Sequence, residues 1–474
     1  MRLPNIENMF DQVRADELLS AMKSAQRDER TATARRLLAA GRLCQLRMAA
    51  VDTDERMQWC IDNWEAVAAE VGAELGISRG RASTQMNYGL ELLERLPALG
   101  AVLAAGDVEF RVVAAAIFRT GLITDAAVLA DVDRKLAVHA TKWNALSQNR
   151  VAQLIDWIVV AADPAAVRTA RSASADRHVD FGQLRDGTVE FWGVARAPDA
   201  AALDQRLDQL AASVCRDDSR TKRQRRADAL AALAAGCSTM TCDCGSPDCP
   251  ASGGIEPGQI VIHVLAESDT VSGGGAAPGY LPGYGAVPAE TIRELAARAR
   301  LRPLAPVDSL ICERRYRPSA ALADFIRCRD LTCRFPGCSA PAEFCDIDHT
   351  VPFGLGGPTH PSNLALLCRA HHLLKTFWVG ETGWREKQFD DGTIVWTSPA
   401  GRSYTTTPGG ALFFPQLGEP TGLLDITGHQ GDSQPGRSLA MPPRRRTRTA
   451  DRRARIAWER GLNEARMAAD PPPF

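Results

Sequence analysis

Hydrophobic and polar positions change their period several times along this chain of 474 residues. From Asp11 to about Val160, apolar residues recur every three or four positions, as in AVAAEVGAELGIS, ASTQMNYGLELLERLPALGAVLA and EFRVVAAAIFRTG. That spacing predicts one amphipathic helix after another, punctuated at Gly76, Pro97, Gly106 and Gly121. HVDFGQLRDGTVEFWGVARA then alternates, and Asp186-Gly187 in its middle is a hairpin signal. Helical spacing returns in DAAALDQRLDQLAASV and in the segment running through RRADALAALAAG. QIVIHVLAE reads as a strand and SGGGAAPGYLPGYG as an open linker. VPAETIRELAARARL reads as a helix with Pro288 near its start, and Pro318 and Ser319 open another. After Thr376 the pattern alternates again around Asp391-Gly392 and Ser398–Gly401, which predicts a small β-meander with Trp384, Trp396 and Tyr404 in its core.

These changes of texture divide the chain into a helical domain (1–160), a mixed α/β continuation (161–310), a compact module ending in the meander (311–415), a linker (416–441) and a basic tail helix (442–474). The fold class is α+β and multidomain, mostly helical in its first part. A net charge of −1 excludes a globally basic nucleic-acid binder, so any such contact must be local. Three places offer it. VAAEVGAELGISRGRASTQM, within residues 66–90, has a helix-turn-helix pattern that puts Arg79 and Arg81 at a helix start; a plain helical hairpin has the same pattern. Arg220, Lys222, Arg223, Arg225 and Arg226 form a charge run whose default is a solvated helix start. Arg444, Arg445, Arg446, Arg448, Arg452, Arg453 and Arg455 suit a duplex backbone or, equally, a solvated tail. No apolar run is long enough for a membrane span and no secretory leader is evident, so a reducing cytoplasm is expected.

The thirteen cysteines cluster at metal-like spacings rather than as a disulfide framework. Cys237, Cys242, Cys244 and Cys249 either bind a second zinc or belong to a thiol-rich loop. The denser cluster runs from Cys333 to Thr376. Cys333 and Cys338 are separated by four residues, Cys368 and His371 by two, and the two pairs stand about thirty residues apart. This is the form of a tetrahedral zinc site built from two knuckles. Cys328 and Cys345 beside it are expected to be buried thiols, and His360 an exposed loop histidine. Inside the brackets lie Asp348, His349, Asn363 and His372, oxygen and imidazole donors suited to a divalent ion that meets phosphate. CDIDHTVPF reads as a strand, GLGGPTHPSN as a turn, and LALLCRAHHLLK as a helix capped by Ser362 or Asn363, with Leu364, Leu367, Cys368 and His371 on one face. Adjacent residues on a helix point roughly 100° apart, so His371 can join the zinc while His372 faces the strand.

At these residues the stretch resembles the zinc-bracketed HNH endonucleases: Asp-His at a strand end, then Asn, then His directly after the last zinc ligand. The resemblance implies a ββα-metal module. It implies that Asp348 and His372 ligate one Mg²⁺ or Mn²⁺, that His349 is the general base, and that Asn363 holds the loop and orients His349. Cys333, Cys338, Cys368 and His371 would hold structural Zn²⁺. The RRADAL segment, the GYLPGYG loop, RYRPS, the CRFPGC run and the terminal PPPF further resemble the actinobacterial 13E12 repeat family. That likeness implies a helical N-terminal domain of unknown function before the HNH module, and hints at a mobile or repeated genetic element. The expected activity is metal-dependent hydrolysis of DNA phosphodiester bonds, most simply in duplex DNA, with no small-molecule cofactor and no membrane. A non-catalytic DNA-binding protein that docks through the zinc module is the alternative from another class, and an RNase is a third reading.

Overall fold

The structure, a computed structural model, describes residues 13–49, 54–168, 177–185, 188–249, 251, 263–282, 284–297, 299–422 and 440–469. It divides into two compact units, one formed by residues 1–169 together with 304–474, the other by residues 170–303. Among the described residues it is mostly helical, with small antiparallel sheets.

The first unit begins with α1 (Ala15–Ala49), α2 (Asp54–Met57), α3 (Asn63–Leu75), α4 (Arg79–Leu90), α5 (Pro97–Ala104), α6 (Phe110–Arg119), α7 (Ala126–Ala140) and α8 (Gln148–Ala162). Their starts are set by side chains that accept orphan backbone N–H groups: Asp62 from Glu65, Ser78 from Arg81, Asp125 from Ala127 and Val128, Ser147 from Arg150. Leu37, Leu92, Leu96, Leu99, Val132 and Leu136 meet in the core between them. α1 and α4 touch backbone to backbone, because a Cβ on Gly89 would lie 2.0 Å from the Leu37 carbonyl oxygen. α3 and α4 are joined by a tight turn in which Gly76 takes φ of 62°, a conformation that costs glycine little. The turn of this helix-turn-helix is covered: a Cβ on Gly337, in the Cys333–Cys338 knuckle, would come within 2.6 Å of the Ile77 carbonyl. Arg79 is ion-paired with Glu65, while Arg81 stays exposed.

The second unit holds the hairpin β1 (His178–Arg185) and β2 (Thr188–Val194), then α9 (Ala197–Ala211), α10 (Lys222–Ala234) and α11 (Ser268–Ser272). The Asp186-Gly187 turn residues and residues 259–262 of QIVIHVLAE lie outside the described residues, and of the remainder only Leu265 makes a β-bridge, to Tyr280. The charge run at the start of α10 is largely spent inside the unit: Arg220 pairs with Asp218 and Asp228, Lys222 with Asp208, and Arg226 with Asp204 and Asp208. The stretch expected as an open linker is ordered into a short hairpin, β3 (Gly279–Leu281) with β4 (Gly285–Val287), followed by α12 (Ala289–Ala296). Glycine is needed there because Ile292 packs so closely that a Cβ on Gly279 would lie 2.4 Å from it.

The chain re-enters the first unit and forms α13 (Ala320–Asp330), capped by Ser319, then β5 (Cys345–His349), β6 (Leu364–Cys368), α14 (Arg369–Phe377) and the meander β7 (Arg385–Gln388), β8 (Ile394–Thr397) and β9 (Ser403–Thr406). β5 and β6 pair antiparallel with Asp348 opposite Ala365 and His349 opposite Leu364. This corrects the expectation of one helix from Leu364 onward: LALLC is a strand and the helix starts at Arg369. A short apolar run buried on both faces has no period to separate strand from helix, and here its pairing decides. Phe335, Trp384 and Trp396 pack with Leu367, Leu374 and Trp378, and Ile61, Ala69 and Ala73 of the helical region join the same core. Tyr404 lies at its edge and donates to Glu74.

A buried ionic group fastens β6. Asp330, fully buried, accepts from Arg329, Arg334 and the Leu366 backbone N–H, while Arg329 also donates to the carbonyls of Pro361 and Leu364. Burial alone would raise the Asp330 carboxyl, but the two guanidiniums outweigh it and hold its pKa below the ordinary value. Asp330→Asn keeps the shape and leaves two buried cations without their anion. We expect it to cost about 3 kcal/mol in urea unfolding; a loss below about 1 kcal/mol would mean that the group only fills space.

Residues 423–439, most of the expected linker, lie outside the described residues. The tail forms α15 (Arg448–Ala469), which lies on the helical region. Asn463 donates to the carbonyls of Ala165 and Val167, Arg460 pairs with Asp163, Arg452 with Glu91, and Arg444 and Arg448 with Asp62. Three of the seven arginines that suited either a duplex backbone or a solvated tail, Arg444, Arg448 and Arg452, are thus committed to internal carboxylates. Arg445, Arg446, Arg453 and Arg455 remain exposed.

Candidate metal centre and adjoining histidine site

The knuckle Cys333–Cys338 and the start of α14 bring Cys333, Cys338, Cys368 and His371 together, each offering a donor atom within 4.8 Å of all the others. His371 Nδ1 lies 3.4 Å from Cys333 Sγ and 3.3 Å from Cys368 Sγ. Ligands about 2.3 Å (S) and 2.0 Å (N) from a tetrahedral ion stand about 3.5 Å apart, so the set fits a metal such as zinc. Phe335 stacks on the His371 ring at 4.0 Å and fixes its plane. Cys345 stands opposite Cys368 in the sheet but directs its thiol to the carbonyls of Ala340 and Pro341, outside the quartet. Burial pushes the Cys328 thiol up to about 12, which makes it inert.

One residue along α14, His372 turns the other way. Its Nδ1 is 2.8 Å from Asp346 Oδ2 and its Nε2 is 3.3 Å from Asp348 Oδ1. Two cis ligands about 2.1 Å from an octahedral ion lie about 3 Å apart, so Asp348 and His372 have the separation of a divalent-cation pair. Asp346 holds the His372 ring by its Nδ1, the kind of outer carboxylate contact that orients a histidine at a cation site. Hydrogen bonding to Asp348 is the main cause of a raised His372 pKa, with burial opposing it. The other oxygen of Asp348 is taken by Lys375, at 2.5 Å. Lys375 also donates to the carbonyls of His349 and Thr350 and pairs with Glu386. Burial works against its charge, but Glu386 and Asp348 prevail and hold its pKa above the ordinary value.

His349 follows Asp348 at the end of β5, so its side chain leaves on the opposite face of the strand. It is buried, and its Nε2 lies 2.9 Å from Thr359 Oγ1. The threonine's own hydrogen goes to the Arg315 carbonyl at 2.6 Å, so Thr359 accepts from Nε2–H and the lone pair of the neutral ring falls on Nδ1. Burial lowers the His349 pKa; Asp348 opposes this and Lys375 adds to it. Tyr316 stacks on the ring at 5.4 Å and Phe353 meets it edge-on at 5.6 Å. Tyr316 is itself exposed, as are Arg314, Arg315 and Arg317 on either side.

Asn363 makes no hydrogen bond to the His349 ring. It clasps the intervening loop, accepting from the Val351 N–H and donating to the carbonyls of Val351 and Pro358. Orientation of His349 comes from Thr359 instead. His360, expected to be exposed, is buried, and its Nδ1 accepts from the Ser362 N–H. Asp346, Lys375, Glu386, Thr359 and Tyr316 are the residues that sequence reasoning missed. Of these, only Asp346 carried a signal, being two residues from Asp348 on the same face of a strand.

A family model described as domain of unknown function (DUF222) matches residues 24–330, ending just before the Cys333 knuckle. The chain is 42% identical over 501 residues to uncharacterized protein Rv2100 of Mycobacterium tuberculosis, covering 96% of this chain and 90% of that protein. It is 44% identical over 476 residues to uncharacterized protein Rv3776 of the same organism, covering 94% and 89%. No solved structure matches.

Proposed function

The chain belongs to the DUF222 family, and from that footing we propose that its C-terminal module is an HNH-type endonuclease of the ββα-metal kind, hydrolysing DNA phosphodiester bonds. The observation that carries this reading is the order β5, β6, α14 with a Cys₃His quartet on one side of α14 and the Asp346–His372–Asp348 group on the other. One site braces the hairpin against the helix; the other presents an oxygen and a nitrogen to a cation. Asp348 and His372 would hold Mg²⁺ or Mn²⁺, which when bound neutralises charge on a phosphate and on its leaving oxygen. His349, kept neutral by burial and with its basic lone pair on Nδ1, takes a proton from the attacking water. Thr359 fixes the tautomer and Asn363 the loop around it. Tyr316, which stacks on His349, and the exposed Arg314 and Arg317 near it in sequence suit an unstacked base and a phosphate backbone, which favours a nucleic-acid substrate over any small ester. The preference for DNA over RNA rests on the resemblance to the HNH endonucleases.

The test is supercoiled plasmid incubated with the full chain. Cleavage is expected with added Mg²⁺ or Mn²⁺ and none without. Asp346→Ala should leave the fold intact while raising the metal concentration for half-maximal rate about 10- to 100-fold. Wild-type protein that stays inert with every divalent ion, yet retards DNA in a salt-sensitive way, would favour the non-catalytic binding reading instead.

A further inference from the structure

The second unit carries a cysteine group that the nuclease reading does not use. Cys215, just beyond α9, meets Cys242, Cys244 and Cys249 from the loop after α10, all four sulfurs lying within 4.8 Å of one another. Cys215 and Cys242 are 3.4 Å apart, and none of the four forms a disulfide. Sulfurs about 2.3 Å from a tetrahedral ion stand about 3.8 Å apart, so the spacing suits an all-thiolate shell. We propose that these four cysteines bind a second structural Zn²⁺, which clamps the α9–α10 hairpin to the loop that crosses its end.

The surroundings are built for this. Asp218 accepts from the Asp243 N–H, Arg220 donates to the Thr241 carbonyl, and Ser219 donates to Asp243. The Met240 N–H reaches Ser213 and the Cys242 N–H the Ala251 carbonyl. These bonds hold the Cys215 turn and the cysteine loop face to face independently of the sulfurs. The local core is thin, made of Leu210, Val214, Ala229, Ala232 and Met240, so a metal would contribute much of what holds this part together. A redox disulfide explains less, because a disulfide needs only two sulfurs and the geometry gathers four.

The geometry also separates this site from the grouping that adjacency in sequence suggests. Cys237 is the nearest cysteine along the chain, yet it stays outside the quartet; Cys215, more than twenty residues away, completes it. Zinc bound per full-length chain, measured by atomic emission after exhaustive buffer exchange, decides the matter. We expect two equivalents for the wild type and for Cys237→Ser, and one for Cys215→Ser and for Cys244→Ser. Retention of two by Cys215→Ser, or loss of one by Cys237→Ser, would overturn the assigned ligand set. Should the cysteine variants fail to fold, zinc-edge X-ray absorption of the wild type still reads the shell. Four sulfurs at one ion beside three sulfurs and one nitrogen at the other is the expected average; a single Cys₃His ion would overturn the site. None of these readouts involves cleavage, so the proposal stands or falls apart from the nuclease reading.

Discussion

Cys338→Ser is expected to open the C-terminal module while the helical region stays folded. Serine oxygen is a poor zinc ligand, and binding energy at such sites, on the order of 10 kcal/mol, is folding energy. That is comparable with the whole margin of a typical domain. Two cores respond differently. Leu37, Leu96, Leu99 and Leu136 pack among helices with no metal, and their helicity should persist in far-ultraviolet circular dichroism. Phe335, Trp384 and Trp396 pack directly behind His371. Once the quartet is broken, both tryptophans should become solvated, with a red shift in emission and new protease cleavage between residues 331 and 415. Unchanged emission and protease resistance would show that Ile61, Ala69 and Ala73, which share that core, suffice to hold the module without metal.

The grouping of Cys333, Cys338, Cys368 and His371 was legible because metal chemistry writes itself into spacing. Cysteine and histidine pairs must be close in sequence to reach one ion, and neighbouring histidines on a helix must diverge. Both constraints act locally, so Cys333, Cys338, Cys368, His371 and the opposite placement of His372 could be read without a fold. The boundary between β6 and α14 could not. LALLC is apolar on both faces, and what makes it a strand is its pairing with β5 and its bonds to Arg329, Arg334 and Asp330. Those partners approach through three-dimensional packing that no short pattern records.

The same limit explains the remaining misses. Lys375 carries no local mark of its role, because the partners it is wedged between, Asp348 and Glu386, come from β5 and β7. His360 sat in a Gly-Pro turn, the usual mark of an exposed loop, and is buried because residues 358–362 fold back under Asn363 and Thr421. The run Lys222–Arg226 read by default as a solvated helix start, and Arg444–Arg455 equally as a duplex-facing surface or a solvated tail. Several of their members instead answer acidic residues elsewhere in the same unit, such as Asp204, Asp62 and Glu91. Charge runs report composition, whereas the partner of each charge is set by tertiary structure.

His349→Ala should lower plasmid cleavage about 10³-fold, or about 4 kcal/mol of transition-state stabilisation, within the range for loss of a positioned base. Folding should be nearly untouched by comparison, because β5 keeps its backbone pairing with Leu364 and Lys375 still holds the carbonyl of residue 349. Zinc content and tryptophan emission should therefore match the wild type, which separates this variant from Cys338→Ser. The ring occupies a pocket under Tyr316 and Phe353, so its removal leaves a space that free imidazole can enter. Partial rescue by added imidazole is expected for His349→Ala and not for Asp348→Ala, whose loss removes a charge that imidazole does not replace. A His349→Ala enzyme that retains more than about a tenth of the wild-type rate would remove His349 as the base. His372, the other imidazole of this cluster, would give its Nε2 lone pair to the cation and its Nδ1–H to Asp346, and so has none left to take over.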